Sequence, residues 1–173
     1  GPTVSDLPEA VDVLAFGPHP DDVEFWAGGL VLLSADRGQR VAVVDLTRGE
    51  AASRGTLETR AAEAALAAQR MGLAARENLG LPDTRLVPSP EMTLPLVAAI
   101  RRWRPQVVLA PHAGDLHPDH VAAAALVERA YYLATVAKVG SGDLPPHRPA
   151  ALLRYGGHRE VDANLVVDVS PVW

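Results

Sequence analysis

Short apolar runs alternate with helix-like stretches along most of the chain, and this alternation constrains the fold more than any other feature. The runs cover residues 11–16, 40–46, 74–79, 106–110 and 151–155, with a further one at 165–169. They are rich in Val, Leu and Ala and are bounded by Gly, Pro or polar residues, which reads as buried strands. Helical patterns occupy residues 27–37, 57–71, 91–102 and 120 to about 137. Strands alternating with helices of this length build βαβ units with right-handed crossovers. The expected architecture is α/β and Rossmann-like, a mostly parallel sheet with helices on both faces. Residues 140–149, rich in Gly and Pro, are too few for a domain linker and read as a loop. Residues 1–173 are therefore expected to form a single domain.

Local signals set the ends of these elements. Gly38 and Gly72 stand where helices should stop. Thr56 is a candidate N-cap, with Thr59 in the place of the capping-box Glu. Arg101, Arg102 and Arg104 read as the charged end of a helix, complementing its dipole. Gly80, Pro82, Pro88 and Pro90 mark a loop expected to run over the mouth of a site. His147 sits in a proline-rich loop and reads as solvated.

Charge and composition remove several function classes. The formal net charge is −5 and no basic stripe is visible, which argues against a nucleic-acid partner. The cysteine count is zero, excluding a disulfide framework, a Cys zinc site and a thiol nucleophile. No apolar run reaches the roughly 18 residues of a membrane span, and the N-terminus lacks a signal-peptide pattern. These features lead to an expectation of a cytoplasmic protein without membrane partners.

The chemistry is concentrated in two clusters. His19, Asp21, Asp22 and Glu24 follow the first strand-like run, and His117, Asp119 and His120 follow the fourth. In parallel sheets ligands bind beyond the carboxyl ends of the strands, so topology places both clusters on one edge. A catalytic zinc site takes about three His or Asp/Glu ligands and keeps a position open. His19 and Asp22 supply two, and His117 or His120 the third; spacing does not choose between them. Asp21 can then accept a proton from the attacking water. The remaining His can donate to an oxyanion or leaving group, with Asp119 behind it. Ferrous iron suits the same ligands as zinc. Plainer readings stand beside these. Asp21 and Glu24 are favourable charges at a helix start, Glu24 can instead bond a ligand His, Asp119 is a candidate N-cap, and His112 reads as a loop residue. Gly28 and Gly29 allow a close backbone approach, but the dinucleotide fingerprint is absent.

Gly17-Pro18-His19-Pro20-Asp21-Asp22-Val23-Glu24 with Gly28-Gly29, followed by His117-Pro118-Asp119-His120, resembles the LmbE-like (PIG-L type) zinc N-deacetylases. Asp45 to Glu50, Ser53 to Thr56 and Glu77 to Asp83 are similar to the bacillithiol branch, whose members deacetylate N-acetylglucosaminyl malate. By position, the resemblance implies zinc ligands at His19, Asp22 and His120, a general base at Asp21, and a second catalytic histidine at His117 with Asp119 behind it. Arg48, Glu50 and Arg54 fall on the substrate-side loop, and His158 where relatives often have a site-facing His. The implied activity is removal of acetate from an N-acetylglucosamine conjugate, with a small-molecule amino sugar as partner and a homo-oligomer as an open assembly state. The alternatives are another N-acyl amino sugar, a thiol-sugar conjugate, or a non-catalytic metal-binding Rossmann-like module. Phe25-Trp26 and Pro18 depart from the family pattern, and the family's C-terminal helix is expected to be missing after Asp168-Val169-Ser170.

Overall fold

In the computed structural model, which describes residues 3–140 and 144–172, the alternation becomes one parallel sheet. Its strands are β1 (Val13–Gly17), β2 (Val41–Thr47), β3 (Ala75–Leu81), β4 (Val107–Pro111) and β5 (Ala151–Tyr155). They lie in the order β3-β2-β1-β4-β5, every neighbouring pair parallel. The connecting helices are α1 (Asp22–Asp36), α2 (Leu57–Arg70), α3 (Pro90–Trp103) and α4 (Pro118–Leu133). The chain runs outward from β1 through β2 to β3, then returns to lay β4 on the other side of β1. The crevice between β1 and β4 is thus the topological switch point.

Successive strand residues face opposite layers, and the core divides accordingly. Leu14, Phe16, Ala42, Val44 and Leu46 pack with α3 and α4, whereas Val13, Ala15, Val41, Val43 and Leu109 pack with α1. All of β1 and β2 is buried, as expected where helices cover both faces. The helix α2 is the exception: none of its residues is buried. Its start is as read from sequence, with Thr56 and Thr59 forming a reciprocal capping box. Beneath it lies a cavity of about 240 Å³ lined by Arg48, Arg60 and Arg76 among others.

Several boundaries differ from the sequence reading. The helix α1 starts at Asp22 rather than residue 27, because Asp21 turns the chain at φ 87° and lets the acidic stretch wind directly into the first turn. The helix α4 starts at Pro118, and its cap is His117, whose Nδ1 accepts from the Asp119 N–H at 3.0 Å; Asp119 lies inside the helix. Residues 165–169 form no strand. Val169 instead packs over Gly29, where a Cβ would come within 2.8 Å of it, so the close approach is at Gly29; a Cβ on Gly28 would meet nothing within 4 Å. Arg101 is 3% exposed and donates to the carbonyls of Leu133, Ala134, Val136 and Val139, closing the end of α4 rather than decorating a surface. His147 donates from Nε2 to the Pro105 carbonyl at 2.7 Å.

Candidate metal centre

Both polar clusters emerge at the switch point because β1 and β4 are neighbours in register, Val13 beside Val107 and Ala15 beside Leu109. Hydrogen bonds hold the end of β1, the loop after it and the neighbouring loop after β2. The Pro18 carbonyl accepts from the Thr47 N–H at 3.1 Å. Arg60 of α2 donates to the carbonyls of Gly49 and Pro20. Tyr155, at the end of β5, donates to the Phe16 carbonyl at 2.6 Å. The Gly49 Cα sits against the Arg60 guanidinium, and its φ of 66° favours glycine at this contact.

His19, Asp22 and His120 each present one ligand atom, all within 4.8 Å of one another. Asp22 Oδ2 lies 3.1 Å from His19 Nδ1 and 3.2 Å from His120 Nε2. Two neutral imidazoles and a carboxylate are a donor set that suits zinc or ferrous iron, so the residues fit the metal the sequence suggests. The far nitrogen of each imidazole meets an aspartate. His19 Nε2 lies 2.7 Å from Asp119 and 3.0 Å from Asp83, and His120 Nδ1 lies 3.0 Å from Asp115.

The electrostatics follow from this crowding. Burial opposes a charge on His19, but Asp22 and Asp119 outweigh it and lift the ring to about 9. Burial likewise raises Asp22, and the imidazoles of His120 and His19 overcome it, holding the carboxyl well below the usual range. His117 goes the other way: burial and the neighbouring His19 and His120 push it down, favouring the neutral ring. Because its Nδ1 accepts the α4 cap bond, a neutral His117 carries its proton on Nε2 and is a donor.

The other expected residues are distributed around this centre. Asp21 stands between the two ligands in sequence, with its side chain 62% exposed and 3.8 Å from Arg60. The Asp119 carboxylate faces His19 and the backbone N–H groups of Thr84 and Leu86, not the His117 ring. Glu50 accepts from the Asp83 N–H at 2.9 Å, and Arg48 lies over Gly80. Arg54 is exposed. His158 sits at the mouth, its Nδ1 3.1 Å from Asp115 and its ring edge-on to Trp26, with Phe25 beyond at 76% exposure. Glu24 does not approach a ligand His; it pairs with Arg76 at 2.8 Å, which also grips Asp45. Asp83 and Asp115 were not singled out as site residues in the sequence. The signal was available: both stand in loops that leave the carboxyl ends of strands, β3 and β4.

The arrangement defines a Rossmann-like α/β protein with a candidate metal centre at its switch point. A family model described as GlcNAc-PI de-N-acetylase (PIG-L) matches residues 14–131, which include both clusters. The chain belongs to this family. It is 31% identical over 177 aligned positions to a diacetylchitobiose deacetylase of Thermococcus kodakarensis, covering 92% of this chain and 64% of that protein. The chain thus spans less than two thirds of this relative. The crystal structure of the conserved protein TT1542 from Thermus thermophilus is 41% identical, with a TM-score of 0.89 over 93% of this chain and 73% of that one. The fold is shared also by GalB, a 4-carboxy-2-hydroxymuconate hydratase of Pseudomonas putida, at 24% identity and a TM-score of 0.77, covering 96% of this chain and 75% of that one. No helix among the described residues is long and apolar enough to cross a membrane.

Proposed function

We propose that this chain carries the catalytic centre of a metal-dependent N-deacetylase acting on an N-acetylglucosamine conjugate, of which N-acetylglucosaminyl malate is one example. The observation that carries this reading is the convergence of His19 Nδ1, Asp22 Oδ2 and His120 Nε2, with the His117 ring against both histidines. A zinc or ferrous ion held by His19, Asp22 and His120 would supply Lewis acidity toward the amide carbonyl and toward water. Asp21 accepts the proton of the attacking water, a role supported by its place between two ligands in the sequence and by its exposed side chain. His117 donates its Nε2 proton, first as a hydrogen bond to the oxyanion and then toward the departing amine. Arg48, Glu50, Arg54 and His158 meet the hydroxyl or carboxylate groups of the substrate. The similarity to a diacetylchitobiose deacetylase supports an amino-sugar substrate. It does not favour the malate conjugate over other N-acyl amino sugars or a thiol-sugar conjugate.

The test is amine release from N-acetylglucosamine, its malate conjugate and an inositol conjugate, with zinc and ferrous iron compared. His120→Ala is expected to lose stoichiometric metal and activity together. Full metal content in that variant overturns the ligand set. Metal binding by the parent protein without amine release from any of the substrates favours a non-catalytic module instead.

A further inference from the structure

His19 to Asp22 form a β-turn, closed by the Asp22 N–H donating to the His19 carbonyl at 3.3 Å. Pro20 stands second in it, and Asp21, third, has φ 87° and ψ −21°. These are the marks of a type II turn, whose third position favours Gly or Asn. Type I, the commoner form, also takes Pro at the second position and needs no positive φ. The two differ by a flip of the peptide unit between the second and third residues. The carbonyl of that unit is Pro20's, and Arg60 Nη2 donates to it at 3.3 Å. Among the described residues no other group donates to this carbonyl. The guanidinium is itself fixed from behind. Nη1 donates to the Gly49 carbonyl at 3.0 Å, and the Gly49 Cα lies against the group. Nη2 is also 3.8 Å from the Asp21 carboxylate, and the Arg60 side chain is 17% exposed although α2 buries none of its residues.

We infer that Arg60 is a positioning residue that holds the His19–Asp22 turn in its type II form and so places the Asp21 carboxylate. For its catalytic meaning the inference rests on the reading of Asp21 as the base of a deacetylase; the turn geometry stands without it. An unfavourable backbone conformation persists only where the surroundings over-determine it, and here the surroundings are one guanidinium anchored on the loop after β2. A peptide flip would turn the Pro20 carbonyl away from Arg60 and carry the Asp21 side chain round with it. The first and fourth residues would keep their places, because the bond between them is common to both turn types. Those residues are His19 and Asp22. Loss of Arg60 thus spares the ligands and disturbs the residue between them. The cavity of about 240 Å³ beneath α2 is lined by both Arg60 and Pro20, which gives a small guanidinium ion room to replace a missing side chain.

The turn type is read by NMR, with and without added zinc, from the Overhauser effect between the Pro20 Hα and the Asp21 amide proton, strong in type II and weak in type I. The parent is expected to show it strong, Arg60→Ala weak, and methylguanidinium added to Arg60→Ala to restore it. In the amine-release assay Arg60→Ala is expected to keep the parent's zinc content and KM while kcat falls about 10- to 100-fold, with methylguanidinium recovering part of the loss. In an Asp21→Asn background, removing Arg60 should lower kcat no further, because the two act through one group. Should Arg60→Ala fail to fold, Arg60→Lys carries the same readings: it keeps the charge, but an ammonium lacks the fork that spans the Gly49 and Pro20 carbonyls. A strong effect retained in the folded variant overturns the inference, as does full additivity of the two substitutions in kcat. A parent whose type II turn depends on Arg60, but which releases no amine from any substrate, would instead overturn the deacetylase reading and leave the hold on the turn standing.

Discussion

Asp21 has a backbone conformation that residues other than glycine rarely adopt, and the site depends on the consequence. At φ 87° it lies in the left-handed region, and it caps α1 without a side-chain hydrogen bond. A non-glycine residue there costs of order 1 kcal/mol, with Asn and Asp the best tolerated. Such strain at a candidate site is consistent with a role for the side chain, because the turn delivers Asp22 into the first turn of α1 and leaves the Asp21 side chain exposed. Asp21→Asn is therefore expected to keep the fold, changing stability by no more than about 0.5 kcal/mol. It should retain metal while lowering amide hydrolysis by about 10²- to 10⁴-fold. Metal analysis beside an amine-release assay checks both halves; near-parental hydrolysis would remove Asp21 from its role. His19 and Asp22 were legible because they belong to a contiguous motif directly after a strand, and His117 and His120 were legible together for the same reason, with spacing leaving the choice between them open. Asp83 and Asp115 were not, since their significance lies in what they touch. Asp83 meets His19 across 64 positions of the chain, and Asp115 meets His158 across 43. No local pattern encodes such meetings.

Among the elements, one ion-pair group ties three together behind the centre. Arg76 of β3 grips Asp45 of β2 through two hydrogen bonds, at 2.8 and 3.1 Å, and pairs with Glu24 of α1. One guanidinium thus faces two carboxylates away from water. Burial raises Asp45 more than Arg76 lowers it, and Glu24 and Asp22 add to the rise, so Asp45 sits at about 6. The folded state therefore binds this proton more tightly than the unfolded chain does. Ionised Asp45 works against stability, increasingly as pH climbs from the ordinary Asp range near 4 through about 6. Removing the cation should make this worse. Arg76→Met is expected to cost about 3–5 kcal/mol near pH 8 and distinctly less near pH 5, where Asp45 can protonate. Denaturant unfolding at both values checks the sign; an equal loss at the two would show that the guanidinium matters for packing rather than charge. The sequence indicated the strands that carry these groups but not the pairing. A polar residue in a β-branched run such as Val-Val-Asp-Leu signals a buried charge but does not name its partner. The same limit explains residues 165–169. Their Val-rich composition suits a strand, yet Val166 is 84% exposed and the segment follows α1 rather than the sheet edge.

On the scale of the molecule, the alternation of runs and helices was sufficient to indicate a parallel α/β sheet, because few topologies satisfy right-handed crossovers. It did not give the strand order, which decides that β1 and β4 are neighbours and the two clusters converge. If the centre binds metal only in the folded chain, free metal at 100 times its dissociation constant adds about 2.7 kcal/mol to stability. A melting temperature that rises with zinc and falls back with chelator is the expected outcome, and His120→Ala should abolish the rise.

The strand order also bears on time. His19 and Asp119 are 100 positions apart in the chain, and the centre exists only after β4 has returned to dock beside β1. Contacts of such long separation carry a high entropic cost of closure and tend to form late in folding. An ion bound there would arrive too late to guide the chain and early enough to hinder its escape. Zinc is thus expected to slow unfolding severalfold while leaving the refolding rate nearly unchanged, the kinetic pattern of an interaction absent from the transition state. Stopped-flow refolding that accelerates with zinc would mean instead that the two halves of the centre meet before the sheet is complete.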